Sequence, residues 1–192
     1  IFDLLERFAE YGFYKSHATG YSLISYQTAW LKTYYPAEFF ATNLSSDVRD
    51  SDNLIKLIDD AANFNISISA PDVNISSKDF SVIDQNTLSF GLSAIKNVGA
   101  KAAESIEQYR TKEQLTYNTI FDLVSIGDNV INRKSLESLI SSGATSNLEG
   151  SLAQQFEGID IALKYAQHFT KKINPVTLKI FLVSSSLFIL DI

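Results

Sequence analysis

Apolar residues recur at helical spacing along most of the chain. Leu4, Leu5 and Phe8 share one face of a short segment that Glu10-Tyr11-Gly12 closes, glycine being common just past a helix end. A longer stripe follows. Leu23, Tyr26, Gln27, Trp30 and Tyr34, widened by Ile24 and Leu31, predict a helix over about 17–34 with Ser16 as its N-cap. Tyr35-Pro36 ends it and places proline in the first turn of a helix reaching about Leu44. Ser51 is the expected cap of a third helix, whose core face is Leu54, Leu57, Ile58, Ala61 and Ala62. After Asn63 the period drops to two in Ile66-Ser67-Ile68-Ser69, and Pro71-Asp72 marks a turn. Residues 80–83 and 87–90 flank Asp84-Gln85-Asn86 as a short β-hairpin. Helical spacing returns from Leu92. Its clearest element starts at Asn132, carries Leu136, Leu139 and Ile140, and stops at Gly143, and a last polar helix spans about 150–169.

Composition narrows the class. A 192-residue chain that is 45% hydrophobic and 20% charged, with three prolines and eight glycines, folds around a real core. Zero cysteines exclude disulfides, thiolate metal sites and a cysteine nucleophile, and His17 and His168 alone leave little for a histidine metal centre. Methionine is also zero and the chain opens at Ile1 within an amphipathic segment, which reads as a piece of a longer polypeptide. The opening residues, acidic and amphipathic, lack the basic region and the small-residue cleavage site of a signal peptide. Residues 180–190, IFLVSSSLFIL, fall short of the roughly 20 a spanning helix needs. They read as a buried strand, a partner-binding tail or a scrambled terminus, and no membrane partner is expected. The net charge of −6 argues against a broad basic surface. Charge position changes that picture: residues 88–112 carry Lys96, Lys101, Arg110 and Lys112 against Glu104 and Glu107.

Lys15 and His17 flank Ser16 at an expected helix start, with no acidic residue from Tyr11 to Trp30. Helix N–H groups with a lysine and an imidazole make a phosphate cradle, to which Tyr14 and Tyr21 add ring faces. A solvated lysine and a histidine bonded to a neighbour explain the same residues. A second site lies at Phe90-Gly91-Leu92-Ser93-Ala94-Ile95-Lys96-Asn97-Val98-Gly99-Ala100-Lys101, a short helix, a tight turn and a second helix. Leu92, Ile95, Val98, Ala102 and Ile106 would pack the two helices, as in a helix-hairpin-helix. Such a turn offers backbone N–H groups to a DNA phosphate without reading sequence, and Lys96 and Lys101 add charge. Asn97 replaces the first glycine of the usual glycine-hydrophobic-glycine turn, and asparagine tolerates left-handed backbone angles. A helical corner that only packs would look the same. Arg133 and Lys134 fit either DNA contacts or a capped surface helix.

The run Phe8-Ala9-Glu10-Tyr11-Gly12-Phe13-Tyr14-Lys15-Ser16-His17-Ala18, with Ser25-Tyr26-Gln27-Thr28-Ala29-Trp30-Leu31-Lys32 and Tyr35-Pro36-Ala37-Glu38-Phe39, resembles the fingers domain of the bacterial DNA polymerase III alpha subunits, the C family of replicative polymerases. The resemblance continues through Ala70-Pro71-Asp72-Val73-Asn74, Phe121-Asp122-Leu123 and Asn132-Arg133-Lys134-Ser135-Leu136, and fades beyond Leu148. It implies that Lys15 and His17 hold the incoming triphosphate, with Arg7 reaching the same phosphates. It also implies a tandem helix-hairpin-helix gripping duplex DNA through Lys96, Asn97, Val98, Gly99 and Lys101. Tyr14, Thr19 and Gly20 depart from the family pattern, and Gly20 weakens a helix by about 1 kcal/mol relative to alanine.

The expected fold is therefore mainly α: a helical fingers segment, a small β-hairpin and a tandem helix-hairpin-helix domain. The expected divisions are 1–36 for the C-terminal part of the fingers, 37–90 for a connector, 91–148 for the DNA-binding region and 149–192 for a helix and divergent tail. The resemblance places the catalytic aspartates and their magnesium in a palm outside this chain. No catalytic residue, metal or cofactor is expected here; Asp59-Asp60, the adjacent acidic pair, reads as a solvated face. The parent is expected to be a cytoplasmic DNA-directed DNA polymerase working with DNA, deoxynucleoside triphosphates and other holoenzyme subunits, and this chain alone to be silent. A stand-alone DNA-binding module and an inactive truncated product are the alternatives.

Overall fold

The computed structural model describes residues 1–2, 5, 15–113, 115–127 and 130–172. Arg7, Tyr14 and the apolar run 180–190 lie outside the described residues.

Helix α1 (Lys15–Tyr34) already includes Lys15, Ser16 and His17. Ser16 is thus not an N-cap, because a capping residue stands outside the helical backbone. Thr19 Oγ1 donates to the Lys15 carbonyl at 2.8 Å, the back-bond of a helix under way. The predicted stripe faces outward: Leu23, Ile24, Tyr26 and Tyr34 each expose more than half their surface. Lys32 anchors the helix instead. Its ammonium lies 2.5 Å from Asp60 and 4.8 Å from the Phe64 ring centroid, so Asp60 is an ion-pair partner rather than a solvated charge.

Helix α2 (Pro36–Ser46) has Pro36 in its first turn and buries Ala37, Phe40, Ala41 and Leu44, one face of a helix. Helix α3 (Ser51–Asn63) is capped by Asp50, whose side chain accepts from the Asn53 N–H at 3.1 Å; Ser51 is its first helical residue. A carboxylate also suits the positive end of the helix dipole. Leu54, Leu57, Ile58 and Ala61 pack inward, whereas Ala62 is exposed. Strands β1 (Ser67–Ser69), β2 (Ser81–Asp84) and β3 (Thr87–Ser89) form one sheet in the order β1-β3-β2. The β2–β3 hairpin is antiparallel and turns through Gln85 and Asn86, Asp84 being the last strand residue. Strand β1 pairs with β3 in parallel, a partnership no local pattern announces.

The crossing segment is tied down at every step. The Val73 N–H donates to the Ala144 carbonyl at 2.9 Å, and Asn147 donates to Asp72 at 2.6 Å. Asn74 exchanges two hydrogen bonds with the Tyr117 backbone, at 2.9 and 2.8 Å. Arg110 donates to the Val73 and Ser76 carbonyls at 2.7 and 3.1 Å. Ala70-Pro71-Asp72-Val73-Asn74 is therefore a staple beneath the following helices.

Those helices are α4 (Ala100–Glu113), α5 (Ile120–Val124), α6 (Arg133–Ser141), α7 (Leu152–Glu157) and α8 (Ile159–Lys172). Asn132 caps α6 through the Ser135 N–H, Leu136, Leu139 and Ile140 are buried, and Gly143 turns the chain at φ 79°. The single helix expected over 150–169 is two helices. Ser151 and Gln154 form a capping box on α7, and the chain breaks at Gly158, where a Cβ would stand 3.3 Å from the Gln154 carbonyl oxygen. Two apolar cores result. The smaller joins α2, α3 and the sheet; the larger runs from Val73 through α4–α6 to Ile159 and Ala162 on α8. Phe90 packs against both. The architecture is mainly α with a small sheet, as the sequence predicts.

Candidate nucleic-acid interface

The hairpin is built on a close backbone approach. A Cβ at Gly91 would stand 2.7 Å from the Phe80 nitrogen, so only glycine lets the chain pass there. The Leu92 and Ser93 N–H groups then donate to the Ser77 and Lys78 carbonyls at 3.0 and 2.9 Å. This seats the 3-10 turn Leu92–Ala94, the first arm. Leu92, Ile95, Val98, Ala102 and Ile106 are all buried in the larger core, the packing set the sequence predicts.

The turn runs from Ile95 to Gly99. The Val98 N–H closes it on the Ile95 carbonyl at 3.0 Å, and Asn97 sits at φ 65°. A left-handed asparagine thus does the work of the missing glycine. Val98 is 4% exposed, so its side chain anchors the turn from within. Lys96, Asn97, Gly99 and Lys101 are exposed. Among the described residues neither lysine is in an ion pair. Helix α4 starts at Ala100, and first-turn N–H groups have no partner within a helix. Gly99 stands at their mouth. Its backbone is not left-handed, and a Cβ there would meet no atom within 4 Å. Neither conformation nor internal packing requires glycine here. What glycine supplies is open approach to those N–H groups.

Other expected cations have different roles. Arg133 pairs with Glu137 at 2.8 Å and with Asp160, and both contacts hold its guanidinium above the ordinary pKa, the Glu137 hydrogen bond foremost. Arg110 is taken up by carbonyls of the staple. Lys134 is exposed and in no ion pair among the described residues. Sequence reasoning missed two contacts across the turn. Asn97 Nδ2 donates to Ser138 Oγ at 3.1 Å, and Ser135 Oγ donates to the Asn97 carbonyl at 2.9 Å. The one available signal was Ser135 and Ser138 at a three-residue spacing on a single helix face.

Lys15 and His17 are exposed on α1, which carries no acidic residue. Two positions apart, they point about 200° apart around the axis. The His17 ring packs on Tyr21, centroids 4.4 Å apart, and so joins Tyr21 rather than Lys15. Among the described residues no three His, Asp or Glu side chains are gathered where they could hold a metal ion. No described helix is long and apolar enough to cross a membrane.

A buried apolar seam, a positive-φ turn and exposed lysines over a helix start define a helix-hairpin-helix, a DNA-binding motif. A family model described as a helix-hairpin-helix motif matches residues 65–155. The curated relatives extend the match over most of the chain. It is 39% identical over 176 residues to DNA polymerase III subunit alpha of Xylella fastidiosa strain Temecula1, which covers 90% of this chain and 14% of that protein. The same subunit of Pseudomonas aeruginosa PAO1 is 46% identical over 149 residues, 77% of this chain and 13% of that protein. That of Thermus aquaticus is 42% identical over 167 residues, 86% of this chain and 13% of that protein. The chain is a homologue of one segment of the DNA polymerase III alpha subunits, and spans about 14% of the length of the relatives it matches.

Proposed function

We propose that this chain is a DNA-holding segment of a replicative DNA-directed DNA polymerase, a nucleotidyltransferase of the cytoplasm. The hairpin grips duplex DNA by its phosphates, and α1 meets the incoming deoxynucleoside triphosphate. The observation that carries the reading is the exposed turn at Asn97–Gly99. A glycine required by neither packing nor conformation leaves the first N–H groups of α4 open, between two lysines that form no ion pair among the described residues. Contacts of that kind are made to the backbone of the duplex and are independent of base sequence. They suit a segment that must hold each new base pair alike, while the reaction itself belongs to a palm elsewhere in the parent polymerase.

The test is duplex binding by the full chain over a range of salt concentrations. Lys96→Ala and Lys101→Ala should each weaken binding to unrelated sequences equally, and each should lower the salt slope by about one. Unchanged affinity in the double variant would refute the grip.

The triphosphate reading rests on the family resemblance and on the charge of α1, where Lys15 and His17 stand exposed without an acidic neighbour on the helix. Lys15→Ala and His17→Ala in the whole polymerase should raise the nucleotide concentration needed for half-maximal incorporation. If neither does, α1 is not the triphosphate site.

A further inference from the structure

We propose that Ser135 and Ser138 of α6 are positioning residues for the DNA grip: through Asn97 they hold the hairpin turn in the orientation in which it meets a phosphate. The inference rests on the hairpin reading above and adds to it a cause for that orientation. Asn97 is fastened to α6 twice, by its side-chain amide to Ser138 Oγ at 3.1 Å and by its carbonyl to Ser135 Oγ at 2.9 Å. These bonds span 41 and 38 residues of sequence, so they join two separate parts of the domain. The α6 end of the clamp is itself fixed. Ser135 is 2% exposed, and its N–H donates to the capping Asn132 side chain at 3.0 Å. On the hairpin side, buried Ile95 and Val98 pin the turn from within, and Asn97 carries its ties to α6.

A glycine at 97 would suit φ 65° without strain and would lack the side-chain bond. Asparagine therefore satisfies the backbone angle and adds a tether. The α6 serines contact the turn rather than the surface that Gly99 leaves open, so their effect on DNA passes through Asn97. Orienting the turn beforehand removes an ordering cost that DNA binding would otherwise bear.

The experiment measures affinity of the full chain for a fluorescently labelled mixed-sequence duplex at several salt concentrations, with thermal unfolding in parallel. Asn97→Gly and Ser138→Ala should each weaken binding by roughly two- to tenfold, the range of one hydrogen bond. The double variant should be no weaker than either single one, because both remove the same bond. Ser138→Thr, which keeps the hydroxyl, should restore affinity. Ser135→Ala should weaken binding too, and Ser135→Thr at that buried site serves only as a check on folding. A positioning role further predicts a shallower salt slope in Asn97→Gly, as the turn loses part of its phosphate contact, whereas a purely structural role would lower Tm and leave the slope alone. Additive losses in the double variant, or undiminished affinity in Ser138→Ala, would overturn the proposal. Should Lys96→Ala with Lys101→Ala also leave binding intact, the hairpin reading itself falls. If the lysine variants fail while the clamp variants bind normally, only the positioning role is refuted.

Discussion

Replacing Gly91 by alanine would put a methyl carbon 2.7 Å from the Phe80 nitrogen and 2.8 Å from the Asp79 carbonyl carbon. Both neighbours are backbone, so no side chain can swing aside. The backbone is not free to retreat either, since Leu92 and Ser93 are bonded to Ser77 and Lys78 on the same side. Overpacking of this kind costs about 1–3 kcal/mol, and the smaller entropy of the unfolded alanine chain offsets about 0.4–1 kcal/mol of it. The expected net loss is about 1–2 kcal/mol, or about 2–8 °C in Tm for a chain of this length. Gly99→Ala is the contrasting case. Nothing lies within 4 Å of its new methyl group, and the same entropic gain roughly balances alanine's poorer fit at a helix start, leaving Tm within about 2–4 °C. That methyl group does stand before the open N–H groups of α4, so duplex affinity should fall. Circular dichroism melting and fluorescence anisotropy on the same samples separate the two. A Gly91→Ala chain as stable as the parent would refute the steric argument. A Gly99→Ala chain that binds DNA undiminished would refute the claim that this glycine keeps a phosphate path open.

Lys32→Gln removes an ion pair to Asp60 that is partly solvated, together with the ammonium above Phe64 and Phe40, and should lower stability by about 1 kcal/mol. Urea unfolding should show a lower midpoint at an unchanged slope, and an unchanged midpoint would mean that the pair contributes nothing. Tyr117 is buried, and its hydroxyl donates to the Ile106 carbonyl at 2.8 Å; burial, foremost, holds its pKa well above the ordinary 10.0. Because the folded value is the higher one, this contribution is complete below pH 10 and is lost as pH rises above the unfolded value toward the folded one. Tm measured through that alkaline range should fall more steeply in the parent than in Tyr117→Phe, and equal slopes would contradict the assignment.

Where the controlling interaction is local, the sequence was readable. Pro36 announces the helix that follows it, Asn132 announces its own, and Asn97 identifies itself as the left-handed residue of the turn. Where two local solutions compete, the sequence did not decide between them. Asp50 and Ser51 are both good caps, and the cap falls on the carboxylate. Ser16 would cap a helix that began after it, yet the backbone is already helical at Lys15. One helix could have run on through Gly158, but the chain turns at that glycine, which caps the first piece at Glu157 before the second begins at Ile159. Contacts made across many residues were invisible: β1 beside β3, Lys32 on Asp60, and the α6 serines on the turn. The division matters for the candidate site. Its chemical groups, Lys96, Gly99 and Lys101, are consecutive enough to be read from the sequence, whereas the groups that aim them lie on another helix. A hairpin motif identified by sequence therefore specifies what is offered to DNA but leaves out its orientation. In this chain that orientation depends on an asparagine and two serines that are 38 and 41 residues away from it.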